Sequence, residues 1–239
     1  MTLANELKRA AKKLAWLLEI EVGKRIDDLF WAPISGAEVY YTTPADGCPS
    51  RIREIDRISH LVTEYDEKFH QDDCEATPGS WYFDFATGIL YVHATECGSG
   101  SAFGAVSPAS GQYYVCAYYW KRFCDGQYPE PDELVFNGVW YDPRLKRDSL
   151  PDFSMELAGF DQGGVRQTWG EMKLANADGA LDQDIVDYIW ENKVFVLKIG
   201  SPGDAYASFV TVSRGRTGSI GWDDREITVG VEDPLKAED

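Results

Sequence analysis

Short runs of aromatic and β-branched residues recur along most of this chain, and each run ends within a few positions at a turn residue. The runs Trp81-Tyr82-Phe83 and Ile89-Leu90-Tyr91-Val92 flank the sequence Ala86-Thr87-Gly88. This arrangement predicts a hairpin in which glycine supplies the positive φ of a tight turn. Asn137-Gly138 predicts a second hairpin in the same way. Strands this short and frequent, without intervening helices, favour antiparallel barrels or sandwiches over a parallel α/β sheet.

Further strands are predicted by the same pattern, and one stretch fits two interpretations. The strands lie at residues 37–43, 113–123, 153–158, 167–174, 193–199, 209–213 and 226–231. Residues 51–69 suit a helix in their first part and a strand in their second, and we assign them as strand. A short internal helix is predicted over residues 182–190, where Ile185, Val186 and Ile189 share one side. The predicted fold class is mainly β, with antiparallel barrel or sandwich domains, an N-terminal amphipathic helix and one short internal helix.

A break in the pattern predicts how the chain divides. Residues 126–133 contain Pro129 and Pro131, which makes them the best internal boundary. The sequence therefore predicts a helical extension over residues 1–33, a first β domain over residues 34–128 that carries the cysteines, and a second β domain over residues 134–239.

Composition excludes several classes of protein. Of 239 residues, 26% are charged and 44% are hydrophobic, which are ordinary globular values and exclude general disorder. No run approaches the eighteen apolar residues of a membrane-spanning helix. The formal charge of −17 argues against general nucleic-acid binding, because contacts to phosphate need clustered lysine and arginine.

The N-terminus differs in kind from the rest. Leu3, Leu7, Ala10 or Ala11, Leu14, and Leu17 or Leu18 recur at steps of three and four, which predicts one apolar stripe of an amphipathic helix. Basic residues fall between them, at Lys8, Arg9, Lys12 and Lys13. Glu19 and Glu21 interrupt the only candidate apolar core of a signal peptide. Such a helix docks on a protein neighbour or packs on its own domain, and the sequence does not choose between these two.

Searches for catalytic and metal motifs are negative. The chain has no phosphate-binding loop, nucleophile elbow or His-Glu-x-x-His motif, and its three histidines, His60, His70 and His93, are isolated in sequence. The acidic stretch over residues 176–184 is not a calcium loop, because alignment on Gly179 puts Leu174 and Ile185 at positions that require carboxylates. A turn followed by a helix with acidic residues in its first turn explains this stretch better.

Cysteines carry the open chemical question. All five lie within residues 48–124 and none forms a Cys-x-x-Cys pair, while the odd count argues against a full disulfide framework. Three interpretations remain: buried inert thiols, a scattered metal or iron–sulfur site, or one or two disulfides. The ligands of a metal or iron–sulfur site would be Cys74, Cys97, Cys116 and Cys124, which flank the clear hairpin and the long strand.

Two segments resemble proteins of tailed bacteriophages. Gly79-Ser-Trp-Tyr-Phe-Asp-Phe-Ala-Thr-Gly-Ile-Leu-Tyr-Val-His93 is similar to a hairpin of tail-tip and baseplate proteins. Trp169-Gly-Glu-Met-Lys-Leu-Ala-Asn-Ala-Asp-Gly-Ala-Leu-Asp182 resembles a second segment of such proteins, and is followed, as there, by a strand ending in glycine and by Asp233-Pro234.

The resemblance implies a hub or adaptor subunit that joins tail tube to tip as β-barrel domains in a symmetric ring. Hubs of phages and of phage-like gene transfer particles include some with an iron–sulfur cluster on cysteines. The implied partners are other tail and baseplate proteins and further copies of the chain, with no specific nucleic acid. The implied location is the virion tail tip, after assembly in the bacterial cytoplasm.

The functional prediction is therefore a non-enzymatic structural subunit with no certain cofactor. Its expected assembly contacts are the N-terminal stripe and the aromatic hairpin, represented by Leu7, Leu14, Leu18, Trp81, Tyr82 and Tyr91. A carbohydrate-binding or cell-surface-binding β domain is the competing prediction, because exposed tryptophan and tyrosine stack on sugar rings. A tail-associated wall hydrolase comes last, since no sequence feature selects its pair of carboxylates.

Overall fold

A computed structural model describes the chain in twelve stretches, and the fold is mainly β. The described residues are 14–25, 32–33, 39–44, 46–56, 61–93, 113–126, 135–136, 138–150, 154–157, 165–168, 170–201 and 204–232. Sheets within them are built almost entirely from antiparallel pairs, and the parallel pair is a short one at residues 66–67 and 80–81. The mainly β, antiparallel prediction is confirmed, whereas no closed barrel is found among the described strands.

The elements are numbered in chain order. They are β1 Ala15–Arg25, β2 Ala32–Pro33, β3 Val39–Thr42, β4 Arg51–Asp56, β5 Val62–Glu64, β6 Asp66–Glu67, α1 Gln71–Ala76, β7 Ser80–Asp84, β8 Ile89–His93, β9 Tyr113–Cys124, β10 Val135–Phe136, β11 Val139–Trp140, β12 Ser154–Leu157, β13 Val165–Thr168, β14 Glu171–Ala175, α2 Asp182–Asp187, β15 Val194–Gly200, β16 Val210–Trp222 and β17 Glu226–Glu232. Short 3₁₀ turns lie at Arg147–Ser149 and Tyr206–Ser208.

The chain divides into two compact units. The terminal unit combines Met1–Val22 with Lys121–Asp239, and the middle unit is Gly23–Trp120. The first predicted domain boundary lies near residue 33, whereas the first boundary between the compact units lies at residues 22–23. Most of β1 therefore belongs to the same unit as the C-terminal half of the chain. The second lies close to it, at residues 120–121 rather than 128–134.

The terminal unit is built on one sheet with the strand order β14-β17-β16-β15-β1-β9. One face is apolar and buried, with Leu18 and Ile20 of β1 beside Leu197 and Phe195 of β15 in direct register. The opposite face carries Leu17 and Glu19, which are also buried. Tyr141 and Phe209 complete the apolar cluster on this second face.

The middle unit contains the strand order β9-β4-β5 and a five-stranded sheet, β2-β3-β8-β7-β6. The β7–β8 hairpin alternates as a half-buried sheet should: Trp81, Phe83, Leu90 and Val92 are buried on one face. Its turn uses Gly88 at a φ of 71°, as the sequence predicts. The hairpin at Asn137-Gly138 is also confirmed, with Gly138 at a φ of 75°.

The N-terminal helix is the clearest correction. Residues 15–25 form β1, so the predicted helix is wrong over this part, and residues 1–13 lie outside the described residues. The adjacent pair Leu17 and Leu18 fits a helical stripe and equally a strand buried on both faces. In the strand, Glu19, which a polar helix face would expose, is buried and hydrogen-bonded to Tyr141 and Tyr206.

The stretch that fitted two interpretations is resolved in its described part, and the predicted internal helix is found. Residues 51–56 and 62–64 are strands, as assigned, and α2 confirms the internal helix within 182–190. The sequence did not predict α1. No helix in the described ranges is long and apolar enough to cross a membrane.

Candidate functional site

A groove in the terminal unit is formed where α2 and its following loop meet the end of β16. We call it the α2–β16 groove. Its volume is about 210 Å³ and its lining residues are Ile185, Tyr188, Ile189, Trp190, Glu191, Ile220 and Trp222. Six of these seven side chains are aliphatic or aromatic, so the groove offers mostly apolar surface with one carboxylate in its wall.

The floor of the groove is held rigidly. Trp190 is buried, stacks on Phe123 with ring centroids 6.4 Å apart, and donates its indole N–H to the carbonyl of Asp184 at 3.0 Å. The hydroxyl of Thr217 in β16 donates to the carbonyl of Trp190. Asn192 follows at a φ of 54°, and its carbonyl and side-chain oxygens accept hydrogen bonds from Arg216. The loop is therefore fixed to β16, and the groove is preformed.

The rim of the groove exposes large apolar side chains. Of the lining residues, Trp222 is 66% exposed and Ile189 is 48% exposed. Val186 of α2, the chain neighbour of the lining residue Ile185, is 80% exposed. Single exposed apolar residues are ordinary on protein surfaces, but contiguous ones around a concave site mark interaction surfaces.

Acidic residues lie close in sequence to the residues that line the groove. Residues 182–191 contain four carboxylates and no lysine or arginine, and Asp223 and Asp224 follow Trp222 directly. Asp187, Glu191, Asp223 and Asp224 are all exposed. Lys121, from β9, pairs with Asp184 at 2.9 Å and lies over the Tyr188 ring. The groove is thus an apolar surface with an acidic border.

A second aromatic surface lies in the middle unit. Tyr41, Tyr91 and Tyr82 stand directly opposite one another on β3, β8 and β7, so they form a row across one sheet face. Ring centroids are 6.2 Å apart for Tyr41–Tyr91 and 5.9 Å apart for Tyr82–Tyr91. Burial raises the pKa of Tyr91, and the nearby Asp84 carboxylate raises it further. We call this set the tyrosine row.

Helix α1 covers the other end of the same face. Its Cys74 is buried, and the Cys74 thiol lies within hydrogen-bond distance of the carbonyls of Ser80 and Tyr91. The Nδ1 atom of His93 lies 3.0 Å from the carbonyl of Cys74. The tyrosine row is therefore the part of this sheet face that α1 leaves accessible.

A buried carboxylate network lies in the terminal unit. Glu19 accepts hydrogen bonds from the hydroxyls of Tyr141 and Tyr206, the latter at 2.8 Å, and its other oxygen lies 3.2 Å from Lys198 Nζ. Arg122 Nε lies 3.9 Å from Oε1 of Glu19, the oxygen that accepts both hydrogen bonds. Burial alone would raise the pKa of Glu19, but the hydrogen bonds from Tyr141 and Tyr206 and the charge of Lys198 lower it overall. The network fixes the segments that carry Tyr141 and Tyr206 to β1.

The described cysteines do not gather at one place. Cys48, Cys74, Cys116 and Cys124 form no disulfide, and Cys97 lies outside the described residues. Burial raises the pKa of Cys48 to about 11 and that of Cys124 to about 12, and raises that of Cys74 as well. No group of three histidine, cysteine or carboxylate side chains in the described ranges is placed to hold a metal ion.

Metal ligation requires thiolates, whereas Cys124 donates its S–H to the carbonyl of Tyr141 and Cys48 donates to that of Pro49. These contacts fit buried thiols better than cluster ligands. The iron–sulfur site on Cys74, Cys97, Cys116 and Cys124 stays a prediction.

Of the six predicted contact residues, two lie together at a surface. Tyr82 and Tyr91 belong to the tyrosine row, and Leu14 is half-buried at the start of β1. Trp81 and Leu18 are 2% and 0% exposed, because they pack into the cores of their own units. They are therefore corrected from contact residues to core residues. Leu7 lies outside the described residues.

The groove itself was missed. The sequence shows Ile185, Val186 and Ile189 on one side of the predicted helix, and that pattern ordinarily means packing against a core. Only the fold shows that Val186 and Ile189 stay exposed and that Trp222 lines the same groove from β16, more than thirty positions away.

Comparison of the chain with family models, with curated proteins and with solved structures found no match in any of the three.

Proposed function

We propose that this chain is a structural subunit that works by protein–protein assembly, and that its principal contact surface is the α2–β16 groove. The observation that carries the proposal is a preformed concavity whose lining residues Trp222 and Ile189 are largely exposed. Assembly surfaces use large apolar anchors of this kind surrounded by a polar border. A rigid floor also lowers the entropy lost when a partner binds.

We further propose that the assembly is a bacteriophage tail tip or baseplate, in which the chain forms a hub or adaptor ring. The support is the resemblance of residues 79–93 and 169–182 to segments of such proteins. A non-enzymatic role, a tail-tip location in the virion, sandwich-like β domains and a cysteine-bound cluster belong to the same proposal. Iron content and visible absorption of protein purified without air test the cluster.

The assembly proposal is tested by the native mass of the chain, measured by sedimentation over a range of concentrations, alone and mixed with candidate tail proteins. We expect complexes, and we expect Trp222→Ala with Ile189→Asp to weaken them at least about tenfold, as loss of a central apolar anchor does. Trp140→Ala is the matched control, because Trp140 is a 53% exposed tryptophan of the same unit that does not line the groove. A chain that forms no complex under any of these conditions would refute the proposal.

Glycan binding is the second candidate, and the tyrosine row favours it. Three neighbouring phenol side chains on a sheet face offer apolar ring surface and hydroxyl groups together, which suits sugar recognition. Glycan-array binding that is lost in Tyr82→Ala and kept in Trp222→Ala would support this function. An absence of binding to any glycan would remove it.

A further inference from the structure

The α2–β16 groove combines apolar lining with an acidic border, and this combination defines the chemistry of its occupant. Trp222 and Ile189 require apolar side chains, whereas Asp187, Asp223 and Asp224 favour positive charge at the edge. An amphipathic segment with one apolar stripe and flanking lysine or arginine meets both requirements.

The chain contains such a segment. Residues 2–13 carry Leu3, Leu7 and Ala10 at helical spacing, with four basic residues, Lys8, Arg9, Lys12 and Lys13, against the single acidic Glu6. In a chain of net charge −17 this is an unusual concentration of positive charge.

The other dense basic stretch is already engaged within the fold. Arg144 pairs with Asp142 and Asp178, both at 2.7 Å. Lys146 pairs with Glu226 at 2.6 Å. That stretch is therefore not free to supply the groove's occupant.

Distance decides which copy of the segment can reach the groove. Ala15 pairs with Gly200, and Ile199 pairs with Val210, so β1 begins at the same end of the sheet as the first residue of β16, with β15 between the two strands. The groove lies at the other end of β16, whose 13 residues span roughly 40 Å at about 3.3 Å per residue. Residues 2–13 as a helix span only roughly 18 Å. A helical segment cannot reach the groove of its own chain.

We propose that the α2–β16 groove binds residues 2–13 of a second copy of this chain, with the segment folded as an amphipathic helix. Its leucines contact Trp222 and Ile189, and its basic residues face the acidic border. Each subunit then offers one segment and one groove. This head-to-tail arrangement generates rings or filaments. The inference rests on the assembly function proposed above and specifies its contact.

The test uses two full-length variants that are each defective on one side of the contact. Leu3→Asp with Leu7→Asp disables the segment, and Trp222→Ala with Ile189→Asp disables the groove. We expect each variant alone to self-associate at least about tenfold more weakly than the wild type. We expect an equal mixture to form a complex of two chains, because one variant retains the groove and the other retains the segment. Thr2→Asp with Asn5→Asp is the matched control, since it adds the same two negative charges away from the apolar stripe.

Reversing the charge of basic residues in the segment provides a second test of self-association. Lys8→Glu with Lys12→Glu should weaken self-association about tenfold at low salt and by less at high salt, because exposed charges are screened. Wild-type self-association that the segment variant leaves unchanged would overturn the inference while the assembly function stands. A mixture that stays monomeric, or a wild-type chain that never self-associates, would also overturn it. Binding to other tail proteins would still test the assembly function separately.

Discussion

The α2–β16 groove and the tyrosine row are both aromatic surfaces, but they differ in what remains exposed. Trp222 stands 66% exposed at the rim of the groove. In the tyrosine row, each ring packs against the next, and Tyr41, the most exposed of the three, is 38% exposed. The groove is concave and apolar with a charged border, whereas the row is a sheet face whose rings are already partnered. Aromatic content alone therefore does not identify a docking surface in this molecule, because burial and shape decide.

The strongest test of the difference between buried and exposed aromatic residues compares substitution of Trp81 with that of Trp222. Trp81 belongs to the hairpin that carries two of the row's tyrosines and is 2% exposed on the opposite sheet face, so Trp81→Ala leaves a cavity in the middle unit. We expect a loss of about 3–5 kcal/mol in the free energy of unfolding, measured by denaturant titration. A loss below about 1 kcal/mol would mean that Trp81 is not a core residue.

The buried carboxylate network of the terminal unit is expected to respond to removal of a hydrogen bond and to acid. Tyr141→Phe removes a buried donor to the ionised Glu19, and we expect a loss of about 1.5–3 kcal/mol at neutral pH. Because the pKa of Glu19 is lowered in the folded chain, its contribution is present above the unfolded pKa of about 4.3. It is lost as the pH falls through the folded pKa.

Urea titrations at pH 7 and in the acid range below the unfolded pKa measure the acid effect. Glu19→Gln should remove this part of the acid sensitivity. An acid dependence of the same size in Glu19→Gln would contradict the assignment.

The row should contribute modestly to stability. Tyr91→Ala removes the contacts of its ring with both Tyr41 and Tyr82, and each aromatic pair contributes about 0.5–1.5 kcal/mol. We expect a total loss of about 1–3 kcal/mol in the unfolding free energy. Tyr91→Phe serves as the control, because it keeps the ring that contacts Tyr41 and Tyr82. Its loss of unfolding free energy should be smaller. Equal losses in the two variants would show that ring packing does not stabilise the row.

Groove substitutions should have the smallest effect on folding. Trp222→Ala and Val186→Lys alter exposed side chains, so we expect changes within about 0.5 kcal/mol in unfolding free energy. The same substitutions should weaken assembly. A larger loss of stability would mean that the rim is structural, and the contrast with Trp81 would fail.

Particular residues show which parts of the fold could be predicted from the sequence. The β7–β8 hairpin was predictable because alternation and the Gly88 turn are local signals that agree with its burial. Strand β1 was not, since its second face is buried by residues distant in sequence, among them Tyr141, Tyr206 and Lys198. The groove was not predictable either, because it depends on a loop held to β16 by Thr217. Local periodicity reports which side chains are apolar, and the fold determines which of them stay exposed.

The central claim, that the groove rather than the tyrosine row is the contact surface, is most directly tested by amide hydrogen exchange of the wild-type chain. Exchange is compared between dilute and concentrated protein, so that association is the variable. We predict slower exchange on association in residues 185–191 and 220–224, with residues 80–93 unchanged. Slower exchange in residues 80–93, with no change at the groove, would contradict the claim.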